Sequence, residues 1–238
     1  MPDSGDKIKT QIGNFSFGKN TPKNFDAHIG KSVPLYNMGQ ELIANLSSFF
    51  LVDGSTVYDL GCSTGNISRK IVNYNKQIDL KVIAVDIEKK MLKRAKSTLS
   101  KKEKKKIKLI NKDLIKLKLK KSDMIISYYT LQFIKPKFRQ EIFNKIYKSL
   151  NWSGAFILFE KVRGPDARFQ DIFTQTYHEF KNKNGFTEKQ IYNKALSIRG
   201  MLEPFTSKAN IDYMKRAGFK DITPILKYCS FEGFLAIK

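Results

Sequence analysis

Apolar residues recur along this chain in two periods that take turns. Short runs rich in Val, Ile and Leu, with the alternation or continuity expected of strands, cover 56–60, 81–85, 107–110, 124–128 and 155–160. Between and after the first of them, apolar positions recur at helical spacing over 66–74, 89–99 and 136–150. Strands separated by helices of this length predict an α/β fold with a mostly parallel sheet and right-handed crossovers. The last run, beginning at Ala155, is apolar on both faces, as a strand covered by helices on both sides must be. Asn151-Trp152-Ser153-Gly154 reads as a turn ahead of it.

The flanks depart from this rhythm. Residues 1–20 are polar and aperiodic and read as a flexible arm, docked at most by Phe15 and Phe17. A short helix over 24–29 and a second over 36–50, with Pro34 in the latter's first turn, would form a helical lid. Residues 161–210 are too long for a loop and predict a helical insertion. Its first helix, 166–183, carries Phe169, Phe173, Tyr177 and Phe180, a stripe assigned to the core. Its second, 187–201, opens on a Thr187 cap with Gln190 at the capping-box position. A helix over 207–217 ended by Gly218 and an antiparallel pair, 221–228 and 233–237, close the sheet. Residues 21–238 therefore read as one domain.

Composition narrows the class. The net charge is +22, which invites contact with tRNA or another polyanion through Lys101–Lys106 and the rest of the basic surface. Abundant Lys, Asn and Ile also mark proteins of AT-rich genomes, and a lysine run is commonly just solvated. The 2 cysteines, Cys62 and Cys229, make no disulfide framework, so a reducing cytoplasm is expected. With 2 histidines and no ligand spacing, no metal site is expected, and no apolar run approaches a membrane span.

The candidate chemistry centres on Val57-Tyr58-Asp59-Leu60-Gly61-Cys62-Ser63-Thr64-Gly65-Asn66, a strand end, a tight turn and a helix start. Gly61 and Gly65 permit positive φ. Two glycines are too few for a dinucleotide fingerprint, and the Lys-Ser/Thr of a P-loop is missing. Asp86 ends the next strand roughly twenty residues on, where α/β nucleotide sites place the acid that binds ribose. Asp59 suits a cationic ligand end. Acid, two-glycine turn, helix, strand and acid together resemble the S-adenosylmethionine (SAM) site of class I methyltransferases, a Rossmann-like fold. Ile87 and Leu114, beside Asp86 and Asp113, join the expected cofactor contacts.

Further stretches resemble one branch of that superfamily, the carboxy-S-adenosylmethionine synthases (CmoA-like proteins): KSVPLY, VYDLGCSTGN, VIAVD, YTLQF, KIYKSLNWSG, the EK of Glu160-Lys161, EFKNKNGF and KRAGF. The resemblance implies a homodimer that uses SAM and prephenate to make carboxy-SAM for wobble-uridine modification of tRNA. It implies cofactor contacts from Tyr36, Gly61, Cys62, Ser63, Asp86 and Asp113, and puts Tyr128 where the family has an asparagine. The family's arginine after a lysine on the second inserted helix, which holds the extra carboxylate, falls on Ala195. Arg199 would lie one turn further along the same helical face.

Two enzymatic readings follow. The first is a SAM-dependent methyltransferase with a small or tRNA-related acceptor, in which positioning does most of the work. Its candidate groups are Tyr36, Tyr128, Tyr129, His178 and Glu160, with His178 read as structural ahead of a general base. The second is carboxy-SAM synthesis, with Arg163, Lys194 and Arg199 supplying a field for an anion. A basic RNA-binding module on the same scaffold is the non-enzymatic alternative. Of the three, methyl transfer ranks first from sequence, with Tyr36, Tyr128 and Arg199 as catalytic candidates.

Overall fold

The computed structural model describes residues 3–5, 13 and 21–238, with Thr21 and Lys23 described by backbone alone. The expected docking of Phe15 and Phe17 lies outside the described residues. What is described of the N-terminal segment packs on the insertion. Asn193 Nδ2 donates to the Asp3 carbonyl at 2.8 Å, and the Gly13 amide donates to Leu196 O at 3.0 Å.

Among the described residues the chain forms α1 (Thr21–Ser32), α2 (Tyr36–Ser47), β1 (Ser55–Leu60), α3 (Asn66–Tyr74), β2 (Leu80–Asp86), α4 (Lys89–Thr98), α5 (Lys101–Lys106), β3 (Ile107–Asn111), β4 (Ser122–Tyr128), α6 (Pro136–Ser149), β5 (Leu150–Lys161), α7 (Ala167–Lys183), α8 (Glu188–Ser197), α9 (Ser207–Ala217), β6 (Asp221–Tyr228) and β7 (Phe231–Ile237). The strands join in one sheet of order β3-β2-β1-β4-β5-β7-β6. β3, β2, β1, β4 and β5 run parallel, while β7 pairs antiparallel with both β5 and β6. The mostly parallel α/β sheet expected from the alternation, with its antiparallel closing pair, is the one observed.

Each central strand feeds two cores because successive side chains point to opposite faces. Val57, Val82, Met124 and Ile157 pack with Ile43 of α2 and Ile67 and Ile71 of α3. Tyr58, Ile125, Phe156 and Leu158 pack with Ile142, Phe143 and Ile146 of α6 and Met214 of α9. Burying both faces leaves only the strand ends free for polar work, and the carboxyl ends of β1, β2 and β4 converge on one cavity.

Several boundaries differ from expectation for local reasons. Pro34 stands in the turn before α2, because Leu35 takes φ 56° and breaks the helix there. Asn151–Gly154 is a bulged excursion inside β5 rather than a turn before it. The register jumps from Ser122↔Leu150 to Met124↔Ala155, and Ser153 takes φ 60°. The lysine run 101–106 is helical because Ser100 and Glu103 form a capping box. The Thr187–Gln190 box opens α8 as expected, but the helix stops at Ser197, short of 201, and Gly200 turns the chain at φ 71°. The aromatic stripe of α7 is only partly core: Tyr177 packs against the core and, with Phe173, borders the cavity, while Phe169 is exposed.

Candidate active site

The glycine turn is held by the sheet. The amides of Gly61 and Cys62 donate to Val85 O at 2.7 and 3.0 Å, which folds the loop back over β2. Gly61 takes φ 78°, and a Cβ there would stand 2.2 Å from Thr130 Oγ1. No other residue fits. Gly65 takes φ 79° as the N-cap of α3, with its missing Cβ directed at Ala95 rather than at a ligand. The amide of Ser63, itself at φ 51°, donates to Asp86 Oδ2 at 2.8 Å, and the amide of Glu88 donates to Asp86 Oδ1 at 2.8 Å. Both carboxylate oxygens are thereby aimed, each with lone-pair capacity left for hydroxyls of a ligand. Burial pushes the Asp86 carboxyl up, and the two amides oppose that.

Asp59 is fully buried at the end of β1 and accepts from Ser68 Oγ at 2.6 Å. Burial raises its carboxyl to about 6, the Ser68 bond holds it down, and the charge of Asp86 adds to the rise. An arriving cation would relieve both effects. The Cys62 thiol is pushed well up by burial and then by both aspartates, so it is a packing group and no nucleophile.

Three tyrosines wall the middle. Tyr128 donates its hydroxyl to the Tyr36 carbonyl, and Tyr36 stacks on Tyr129 at 6.2 Å between centroids. Tyr129 holds φ 56°, a strained value for an aromatic residue, and is pinned by its amide bond to Phe159 O at 2.7 Å. Burial drives all three phenols far above their ordinary range, so none is a base near neutrality. Glu160 lies behind this wall, off the cavity. Its carboxyl is raised to about 8 by burial, with Arg139 opposing.

The cavity encloses about 1310 Å³. Tyr36, Asp59, Gly61, Cys62, Ser63, Asp86, Ile87, Asp113, Leu114 and Tyr128 all line it, whereas Gly65 and Arg199 do not. Arg199 is exposed in the turn beyond α8 and not one turn along its face, which corrects its place among the candidates. Arg163 also falls outside the lining, its Nε donating to Pro204 O at 3.1 Å. Lys194 and Ala195 do line the cavity, as do His178 and Tyr177, adjacent residues that border it together. Sequence reasoning missed Gln132, whose Oε1 accepts from the Lys161 amide at 2.8 Å, and the lysines Lys161 and Lys181. Only the Glu160-Lys161 pair carried a local signal. Among the described residues no group of acids, histidines and cysteines could hold a metal, and no helix is long and apolar enough to cross a membrane.

A ligand with a diol and a cationic end fits this geometry: Asp86 is preset by two amides, and among the described residues no cationic side chain pairs with Asp59. Residues 57–154 match the family model described as a methyltransferase domain. The carboxy-S-adenosyl-L-methionine synthase of Staphylococcus epidermidis is 36% identical over 218 residues, covering 92% of this chain and 94% of that protein. The synthase of the same name from Campylobacter jejuni subsp. jejuni serotype O:23/36 is 36% identical, covering 94% of each. Among solved structures, an O-methyltransferase family protein from Burkholderia thailandensis superposes with a TM-score of 0.68 at 13% identity over 98% of this chain and 65% of that one. Human N-acetylserotonin methyltransferase, in complex with SAM, gives 0.56 at 18% identity over 99% and 64%. This chain spans less than two thirds of either methyltransferase, and the two likenesses speak to the fold alone. Relatives matched along almost the whole of both chains place this protein in the carboxy-S-adenosyl-L-methionine synthase family, as a SAM-dependent transferase on the class I methyltransferase fold.

Proposed function

We propose that the protein is a carboxy-SAM synthase that takes SAM and prephenate and leaves a carboxyl group on the former sulfonium methyl. The observation that carries this reading is the match with the synthases over 94% of their length at 36% identity. The size of the cavity supports it: about 1310 Å³ exceeds the ~300–1,000 Å³ common for one small ligand, leaving room for a second organic molecule. Bound SAM would supply a methyl group whose C–H bonds the positive sulfur acidifies. Its proton would leave as water with the hydroxide that prephenate sheds on becoming phenylpyruvate, and the carboxyl carbon released by prephenate would take the proton's place.

The protein's own residues bind, orient and exclude water. Asp86 takes the ribose hydroxyls, Asp113 and Leu114 the purine side, and Asp59 the cationic end. Tyr36, Tyr128 and Tyr129 seal the reacting centre, and their phenols stay protonated. Because the phenols are not bases near neutrality, the methyl proton goes to the donor's hydroxide, and these residues contribute by positioning the two reactants.

Ala195 favours plain methyl transfer as the second reading, since it offers no charge where the synthases' arginine would stand. Mass spectrometry of the protein incubated with SAM and prephenate decides. Carboxylated SAM is the expected product. Its absence, together with S-adenosylhomocysteine formed on addition of a methyl acceptor, would reverse the order.

A small acceptor also agrees with the placement of the lysine run. α5 precedes β3 and so lies at the amino ends of the parallel strands, opposite the cavity. A polyanion such as tRNA held there would not present a base to the cofactor. A cytoplasmic homodimer completes the reading, with exposed Phe169, Ile172 and Tyr192 of the insertion as candidate contacts. Light scattering that returned a monomer would remove that part.

A further inference from the structure

Away from the glycine loop, the cavity wall carries a group of lysines. Lys161 at the end of β5, Lys181 on α7 and Lys194 on α8 all line it. The ammonium groups of Lys161 and Lys181 lie 4.7 and 5.0 Å from the centroid of one ring, that of Tyr177. Lys161 also faces Phe231 at 5.9 Å, and Lys181 faces Phe186 at 5.8 Å. Lys181 is only 4% exposed.

Among the described residues, no carboxylate pairs with Lys161 or Lys181. Glu160 precedes Lys161 in β5, so its side chain leaves the strand on the other face, toward Arg139. Aromatic faces attract cations, but they do not repay the removal of two like charges from water. A buried cationic pair inside a ligand cavity is stabilised when an anion arrives.

We propose that Lys161 and Lys181, with Lys194 beside them, form the docking site for a carboxylate of the second substrate, an organic acid whose apolar body lies against Tyr177 and Phe231. Only the identity of that acid rests on the proposed synthesis; the subsite rests on the lysines and rings. The subsite also accounts for Ala195, because the cations come from neighbouring positions on β5 and α7.

The protonation of the lysines bears on the test. Burial holds Lys161 and Lys181 down to about 8, with Lys161 further lowering Lys181. Lys194 is pushed well down by burial and then by Lys181. The other titratable groups around them are Tyr177 and His178 on α7, His28 on α1 and Tyr129 after β4. None of these is a carboxylic acid. Just above pH 8 an incoming carboxylate must therefore draw a proton onto a lysine.

The test is calorimetric titration of the full chain loaded with S-adenosylhomocysteine, which has no methyl to react. The probes are prephenate, phenylacetate and the neutral phenylacetamide. Both acids should bind and phenylacetamide should not. Lys161→Met and Lys181→Met should each weaken the acids about tenfold or more while leaving S-adenosylhomocysteine affinity unchanged. Neither variant should melt below the wild type, since each removes an unanswered charge. Titrations just above pH 8 in buffers of different ionisation enthalpy should show proton uptake, and Lys161→Arg and Lys181→Arg should bind the acids with less of it. Acids that bind both Met variants as tightly as wild type, or that fail to bind at all, would overturn the subsite. Phenylacetamide binding as well as phenylacetate would overturn it too. Lysine-dependent binding of phenylacetate without any binding of prephenate would support the subsite and remove prephenate as the donor.

Discussion

Replacing Asp86 by alanine separates the two tasks its carboxylate performs. One is internal: Oδ2 and Oδ1 take the amides of Ser63 and Glu88, both at 2.8 Å, and so fix the turn into α4 and the glycine loop. The other is the proposed grip on ribose. A ligand hydrogen bond to a charged group contributes about 1.5–3 kcal/mol, so SAM should bind about 10- to 150-fold more weakly in Asp86→Ala. The internal loss is smaller. The orphaned amides border an open cavity where water can replace the carboxylate, and the variant also sheds a desolvation cost that burial imposes on Asp86. Folding stability should therefore fall by about 1 kcal/mol or less, well under the binding loss. Calorimetric SAM titration and urea unfolding measure the two numbers on the same preparation. Unchanged SAM affinity in a folded variant would refute the assigned cofactor geometry. A stability loss as large as the affinity loss would assign Asp86 to the loop alone.

Glu160→Gln tests the buried network behind the tyrosines. The carboxyl ionises near 4.5 when exposed and about 8 when folded, so the folded chain retains a proton that the unfolded chain sheds. Stability from this group is full below about pH 4.5 and declines until about pH 8, by about 1.4 kcal/mol for each pH unit between them, and glutamine should flatten that slope in urea melts at both ends. Gly61→Ala should cost about 2–4 kcal/mol in thermal or urea unfolding, from a Cβ 2.2 Å from Thr130 Oγ1 and a backbone held at φ 78°. A loss under about 0.5 kcal/mol would mean that the turn relaxes freely. Arg199→Ala, outside the cavity, should leave SAM affinity and product yield at wild-type levels, and a lost carboxylated product with SAM binding kept would restore Arg199 as the clamp.

What the sequence disclosed and what it withheld divide by range. The turn between β1 and α3 was legible because strand, glycines and helix start are adjacent, and Asp86 because its strand ends on it. The Thr187–Gln190 box was legible for the same reason. The Ser100–Glu103 box that makes 101–106 helical was equally local and was passed over because lysines dominate the run. The excursion at Asn151–Gly154 was not legible. Its shape depends on how β5 meets β4, and Asn151 donates to Asp123 Oδ1 at 2.7 Å across that pair. Least legible was the cationic wall as a unit: Lys194 was among the sequence candidates and Lys161 stood in the Glu160-Lys161 pair, but Lys181 looks like the many solvated lysines of this chain, and the three stand on separate elements. Arg163 and Arg199 attracted attention for the chemistry of guanidinium, but neither backbone position faces the cavity.

The two ends of the cavity are poised against each other, and that has a measurable consequence. Burial keeps Asp59 up to about 6 and the lysines Lys161 and Lys181 down to about 8, so each end resists its own charge until a counter-charge arrives. SAM answers the acid end but brings a positive sulfur toward the lysines. An anion on the lysines answers the cationic end and faces that same sulfur. For a carbon to pass between the two, the sulfur and the carboxylate must lie within ~6 Å, where opposite unit charges attract by about 3 kcal/mol at an effective dielectric of about 20. Solvent and the flanking lysines screen part of this, leaving a coupling of about 1–2 kcal/mol, or roughly 5- to 30-fold in affinity. SAM should therefore bind more tightly in the presence of saturating phenylacetate, and by reciprocity phenylacetate should bind more tightly in the presence of SAM. Neutral S-adenosylhomocysteine should show much less of the effect, since its sulfur carries no charge. Equal coupling for the two cofactors would mean that contact or ordering, rather than the sulfonium charge, joins the two ends.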